Sequence, residues 1–476
     1  MSLADYTPTI GLEVHCQLAT ATKLFSRCPY HYPAAPNSLT DPYTLGLPGE
    51  LPVVSRRAVE HGLRLALALG AAVSPRSVWA RKHYYYPDLP KGYQITQGDP
   101  PLATGGHLEI DGDDGPRRVG LVRIHLEEDA GKLIHLDDEP HSLVDFNRAG
   151  VPLLEIVGEP ALRSPAEAAA YLRALRSIVR ALEISDATME TGSLRCDANV
   201  SLRRRGEPGR GTRCEIKNLN SFKFLEHALT AEIQRQADLL DAGAPVSSVT
   251  LGYDPATDRV HVQRSKEDAL DYRYLPEPDL PDLIIDPAWL AELAATLPEL
   301  PRARHARYVA LGLTPADAAS ITADPELSRY FDAALAAAPT HARKLAHWLL
   351  GDLLARLHAG SLAPADSPVP PADLGAIVTL ADARITHTQA RALLARCWTE
   401  RRAPREIADD LTAADPDAIV AAVAAVLAAH PQQRASYLAG KAALRGFFVG
   451  QAMRALAGRA DPRQVHAALD RLLADG

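Results

Sequence analysis

At 476 residues the chain is too long for one compact core, so two to four domains are expected. Hydrophobic residues at 47% and charged residues at 23% are ordinary for a folded globular protein, and the absence of any run of about 18 apolar residues excludes a membrane-spanning helix. A net charge of −8 gives no global attraction to nucleic acid, so any RNA partner has to be held by local patches.

The start, Met-Ser-Leu-Ala-Asp-Tyr, has neither a basic region nor an apolar core, so no secretory signal is expected and the cytoplasm is the expected location. Residues 4–20 read as a strand in which Thr9, Gly11, Glu13, His15 and Gln17 alternate with Ile10, Leu12, Val14 and Cys16. Glu13 and His15 therefore share a face, whether as part of a site or as the wet side of a half-buried strand. A Pro-rich loop follows, and Arg57 to Leu69 gives a helical pattern. Arg81-Lys-His-Tyr-Tyr-Tyr-Pro-Asp-Leu-Pro-Lys-Gly-Tyr-Gln94 places three tyrosines between cations, which fits either an aromatic wall or packing on a strand. Lys82 and Lys91 are candidate point charges for phosphate or carboxylate.

The densest stretch is His125-Leu-Glu-Glu-Asp-Ala-Gly-Lys132. Alternation turns His125 and Glu127 one way and Glu128 the other. Carboxylates at this density hold Mg²⁺ through one or two oxygens plus substrate phosphates; the competing reading is a solvated acidic strand end. Val144 to Glu155 reads as strand–turn–strand, and Ser164-Pro-Ala-Glu167 as a capping box that opens a helix. Asp197 and Asn199 alternate in a further strand, Glu215 and Lys217 share a face, and a helix is predicted from Phe222 to Asp241, stopped by Gly243. Gln263 to Tyr274 packs six charges into a short span. Prolines punctuate a connector around residue 280, beyond which Ala- and Leu-rich text predicts helices, including one that begins at Asp415-Pro416.

The five cysteines form no C-x-x-C pair, and neither a G-x-x-x-x-G-K-[ST] loop nor a G-x-G-x-x-G turn is present. No G-x-S-x-G elbow argues for a covalent nucleophile. Paired acids with interspersed Lys and Arg remain, which is equipment for polar, metal-assisted work on a nucleotide.

Taken together, these stretches resemble the B subunit family of the bacterial aspartyl/glutamyl-tRNA amidotransferase at close to full length. The segments that carry the resemblance are Ile10–His15, Tyr86–Gln94, Leu126–Lys132, Asp145–Glu155, Glu190–Ser201, Glu215–Ser221, Arg264–Glu267, Asp271–Pro276 and Gly440–Gln451. The resemblance implies an α+β fold: a β-rich, cradle-like catalytic domain binding ATP and Mg²⁺ over residues 1–290, an all-α domain over 291–410, and a small helical tail over 411–476. It implies an enzyme that uses ATP and Mg²⁺ to phosphorylate the side-chain carboxylate of Glu on tRNA-Gln or Asp on tRNA-Asn, and then amidates it. Ammonia comes from the glutamine-hydrolysing amidase, the A subunit of the family's heterotrimer, which a small C subunit completes; no membrane partner is expected.

By similarity, Glu13, His15, Lys82, Glu127 and Glu128 are the catalytic residues, with His15, Glu127 and Glu128 on the metal. Imidazole is an unusual Mg²⁺ ligand, so the alternative for His15 is to orient a carboxylate or accept a proton. Asp197, Glu215, Arg264 and Lys266 are assigned to cofactor binding. Lys441, Arg445, Arg454, Arg459 and Arg463 suit sequence-blind contact with the tRNA body. Many relatives carry a four-cysteine zinc site; here Ser26-Arg-Cys28 and Asp41-Pro-Tyr-Thr44 leave one of the four, so no structural zinc is expected.

Overall fold

The computed structural model describes residues 3–112, 115–136, 140–265, 272–408, 414–456 and 460–474. They fall into two compact units, Met1–Leu300 and Pro301–Gly476, the first rich in sheet and the second helical.

The first unit is organised on one long, mostly antiparallel sheet. Its main strands are β1 (Tyr6–Gln17), β2 (Trp79–His83), β3 (Tyr93–Gln97), β4 (Gly115–Glu128), β5 (Pro152–Gly158), β6 (Leu194–Arg204), β7 (Cys214–Leu219), β8 (Val249–Asp254), β9 (Arg259–Ser265) and β10 (Leu275–Pro276). They lie in the order β9-β8-β7-β6-β1-β5-β4-β3-β2-β10. The strand predicted at 4–20 is β1, trimmed to twelve residues. It occupies the middle of the sheet because it is apolar on every second position: Ile10, Leu12, Val14 and Cys16 are all buried. Leu154 and Ile156 of β5, Ile124 and Leu126 of β4, and Cys196, Ala198 and Val200 of β6 continue that apolar face.

Three helices cover it: α1 (Arg56–Ala68), α2 (Pro165–Ala181) and α3 (Phe222–Asp241). Each starts on a serine whose hydroxyl accepts a backbone N–H: Ser55 from Ala58, Ser164 from Glu167 and Ser221 from Phe224. Past the end of α3, Gly243 takes φ +70°, the left-handed conformation that closes a helix. Gly62 lets α1 approach the sheet, since a Cβ there would lie 2.5 Å from Leu102 Cδ2. Ser164→Ala should cost about 1 kcal/mol and lower the thermal midpoint by about 2–4 °C in a melting experiment.

The Pro-punctuated connector holds more structure than expected. Asp286-Pro287 starts a helix, α4 (Pro287–Ala295), because the Asp286 carboxylate accepts from Ala288 N and proline suits the first helical position. Leu293 of this helix joins the core of the first unit.

Among the described residues of the second unit the buried apolar side chains form two separate clusters, one spanning Tyr308 to Ile407 and the other Ile419 to Leu469. The helix predicted at Asp415-Pro416 runs Pro416–Ala429 and buries Ile419, Val423, Val426 and Leu427. Among the described residues no helix is long and apolar enough to cross a membrane.

Candidate active site

With one face of the sheet committed to helices, the alternate residues of β1, β4, β5 and β6 project from the other. Strand register sets their order. Arg195 of β6, His15 of β1, Glu155 of β5 and His125 of β4 form one row across four strands. Asp197 pairs with Glu13 beside it, and Glu127 lies opposite Leu153 on one side and Thr96 of β3 on the other. Lys82 of β2 sits across from Gln94 at the next position.

The side chains converge. His15 Nε2 lies 3.5 Å from Glu155 Oε2, 3.6 Å from Glu127 Oε1 and 3.8 Å from Glu13 Oε1. His125 Nε2 is 3.4 Å from Glu155 Oε2 and 3.8 Å from Glu127 Oε2. Burial opposes a charged imidazole, but the bond to Glu155 and the charges of Glu127, Glu155 and Glu13 carry the His15 pKa up to about 9. Burial likewise opposes ionised Glu127 and Glu155, yet the two histidines hold both carboxyls below the usual range. Glu13 goes the other way, raised by burial and by the neighbouring Glu155 charge. Two sets of three donor atoms, Glu13–His15–Glu155 and His125–Glu127–Glu155, each lie within 4.8 Å of one another and share Glu155. Three hard carboxylates in so small a space fit a divalent cation.

Cations ring the cluster. Lys82, mostly buried, keeps a raised pKa because Glu127, Tyr274, Tyr272 and Glu155 outweigh the desolvation that would lower it. Arg123 Nη2 reaches Glu155 Oε1 at 3.2 Å. Lys217 bridges Asp197 Oδ2 at 2.8 Å and Glu215 Oε1 at 2.5 Å. Just past the end of β4, Asp129 is almost fully buried and accepts from Arg195 Nη2 at 2.5 Å and Gln17 Nε2 at 2.8 Å.

The residues singled out in the sequence do not all meet. Glu13, His15, Glu127 and Lys82 lie together, with Asp197 and Glu215 joined through Lys217. Glu128 is on the opposite side of β4, where it accepts from Lys91 Nζ at 2.5 Å and Ile95 N at 2.9 Å; Lys91 also reaches the Tyr43 hydroxyl at 3.0 Å. The structure therefore does not bring Glu128 to the His15–Glu127 cluster, because consecutive strand residues point apart. Lys132 is exposed on a separate hairpin. Arg264 falls on β9 without a described side chain, and Lys266 and Arg459 lie outside the described residues.

Lys441, Arg454 and Arg463 are exposed, while Arg445 pairs with Asp470 at 2.6 Å. Where relatives are expected to carry further cysteines, Asp41 and Thr44 hydrogen-bond each other, and Cys28 is a buried free thiol.

Sequence reasoning did not assign site roles to Glu155, His125, Arg123 or Arg195. Glu155 and Arg195 could be found only through pairing register, as the cross-strand neighbours of His15, whereas His125 shares the face of Glu127 by alternation and Arg123, opposite Val157, follows at the same parity.

A sheet that buries one face under helices and gathers carboxylates, imidazoles and cations on the other defines an enzyme of polar, charge-neutralising chemistry. Comparison with known proteins narrows the class. The family model described as the GatB/GatE catalytic domain matches residues 8–291, and the GatB domain matches residues 329–473. Three relatives each carry the name of the B subunit of aspartyl/glutamyl-tRNA(Asn/Gln) amidotransferase. The one from Anaeromyxobacter sp. (strain K) is 48% identical over the whole of both chains. That from Halorhodospira halophila is 47% identical over 98% of each, and that from Moorella thermoacetica is 47% identical over 97% of this chain and 98% of its own. The chain belongs to the family of aspartyl/glutamyl-tRNA(Asn/Gln) amidotransferase B subunits.

Proposed function

We propose that the chain is the ATP-using subunit of a glutamine-hydrolysing aminoacyl-tRNA amidotransferase, a ligase of translation that forms a carbon–nitrogen bond. It works in the cytoplasm within a heterotrimer, beside the glutaminase (the amidase, or A subunit) and the small C subunit. The observation that carries this reading is the convergence of His15, Glu127 and Glu155, with Lys82 alongside, on the open face of the sheet.

The substrate carboxylate of Glu on tRNA-Gln, or of Asp on tRNA-Asn, has a poor leaving group. Transfer of the ATP γ-phosphoryl group to it gives an acyl phosphate, and ammonia displaces phosphate to leave the amide. Such a transfer needs positioning and charge neutralisation rather than a protein nucleophile. Glu13, Glu127 and Glu155 would hold Mg²⁺, and His15 would join them by giving up its proton to the solvent as the cation enters. When bound, Mg²⁺ neutralises phosphate charge and orients the transferring group. Lys82 adds a cation on the same face, and Lys217 sets the Asp197 and Glu215 carboxylates at the margin. Glu128 acts through Lys91, holding the loop at residues 84–92 against the end of β4. The catalytic, helical and tail parts divide near residues 290 and 410, and the exposed cations of the tail meet tRNA phosphates.

The test is ATP- and glutamine-dependent amidation of Glu-tRNA-Gln by this chain alone and with its partners. Only the complex is expected to use glutamine; an ATP-dependent ligase acting on free amino acid would instead survive removal of the tRNA by RNase. In a titration with Mn²⁺ alone, Glu155→Gln should weaken binding by about 10–100-fold, and an unchanged affinity would remove Glu155 from the metal set.

A further inference from the structure

The segment at residues 272–276 contributes two tyrosines that the cluster above does not use. The chain enters β10 antiparallel to β2, with Leu275 opposite Arg81 and Pro276 opposite Ala80. Just before it, His83 N donates to Tyr272 O at 2.8 Å, so the segment stays alongside β2 as it passes Lys82. Tyr272 is committed: Lys82 Nζ stands 4.8 Å over its ring, and Tyr84 meets it edge-on at 6.1 Å and 74°.

Tyr274 is not buried in this way. It is 59% exposed and is followed by Leu275 at 56%. Its phenol nevertheless belongs to the site's electrostatic surroundings: burial raises its pKa most, Lys82 lowers it, and Glu127 and Glu155 raise it. A large aromatic left in water at the edge of a charged catalytic face loses hydrophobic stabilisation unless a ligand covers it.

We propose that Tyr274 is a stacking shelf for a nucleobase of an incoming substrate, set so that Lys82, braced on Tyr272, meets the phosphate or carboxylate of the same molecule. A base offers a flat π-face to a tyrosine whatever its identity, and a neighbouring cation suits the charge that accompanies it. The inference rests on the proposed function, in which both substrates, ATP and aminoacyl-tRNA, bring nucleobases. They share this chemistry, and the experiment separates them.

Wild type, Tyr274→Ala and Tyr274→Phe are compared in the assembled complex, by calorimetric titration with ADP and by the KM for Glu-tRNA-Gln at saturating ATP. Tyr274→Ala should weaken one of the two by about tenfold with an unchanged thermal midpoint, and Tyr274→Phe should restore it. A loss in ADP affinity assigns the shelf to the nucleoside triphosphate. A raised KM with ADP affinity intact assigns it to the unpaired end of the tRNA. Both quantities within about twofold of wild type, or a Phe variant that behaves like Ala, overturns the proposal. A wild-type complex without ATP-dependent amidation would instead remove the functional reading, while the ADP titration, which needs no turnover, would still report on the shelf.

Discussion

Glu127→Gln is expected to lower the rate of ATP-dependent amidation by about 10³-fold while tRNA binding is kept. Glu127 is 4% exposed and lies within 3.8 Å of both His15 and His125, so with Glu155 it is one of the two acids on which the histidines converge. The amide keeps the size of the side chain and leaves the packing of β4 intact, but it removes one full negative charge and one oxygen donor from the centre of the cluster. Lys82 loses its leading stabilising neighbour, and His15 loses one of the three carboxylates that keep it protonated. Steady-state amidation, together with filter binding of the tRNA, separates this outcome from unfolding. Glu128→Gln makes the contrast, because its carboxylate faces Lys91 and its effect should come through the loop at residues 84–92. A Glu127→Gln complex with near-normal turnover would show that the phosphoryl group is handled elsewhere.

The second large effect is on stability. Asp129→Ala should destabilise the first unit by about 3 kcal/mol, lowering its thermal midpoint by about 6–10 °C. The carboxylate of Asp129 is nearly inaccessible, and burial alone would discourage its ionisation. Arg195, Arg148 and Gln17 outweigh that and hold its pKa below the ordinary carboxylate value. Truncation leaves Arg195 without the partner at 2.5 Å and opens a polar void beside Gln17. The sign with pH follows from linkage. A depressed carboxyl contributes stability that is fully present above the unfolded pKa of about 3.9 and is lost as pH falls through the folded value. The stability gap between wild type and Asp129→Asn should therefore be constant at neutral pH and shrink below about pH 4. A gap that persists unchanged at pH 3 would place the effect in packing rather than charge.

Much of this was legible without coordinates, for identifiable reasons. Strict alternation in β1 revealed both its apolar face and the shared side of Glu13 and His15, because a half-covered sheet demands that period. Ser164 and Gly243 marked helix ends by local chemistry that tertiary context did not override. What alternation could not supply was which strand lies beside which. Glu155 is separated from His15 by 140 positions in the chain yet is its direct partner across β1 and β5, and nothing local to Val-Pro-Leu-Leu-Glu announces that. Glu128 shows the converse. Alternation had already turned it away from Glu127, and the role assigned by resemblance set that geometry aside. The Asp286-Pro287 helix was hidden because proline was read as a break when it stood at a first turn.

The central claim is that the acids of β1, β4 and β5 handle the phosphoryl group passed to a carboxylate. Its most direct measurement is to incubate the assembled complex with ATP and Glu-tRNA-Gln, withhold glutamine and ammonia, and trap with hydroxylamine. The account predicts glutamyl γ-hydroxamate, resolved from the α-hydroxamate that hydroxylamine releases from the tRNA ester without ATP, formed in proportion to ADP by the wild-type complex and lost with Glu127→Gln. ADP release without hydroxamate, or equal hydroxamate from the variant, would contradict it.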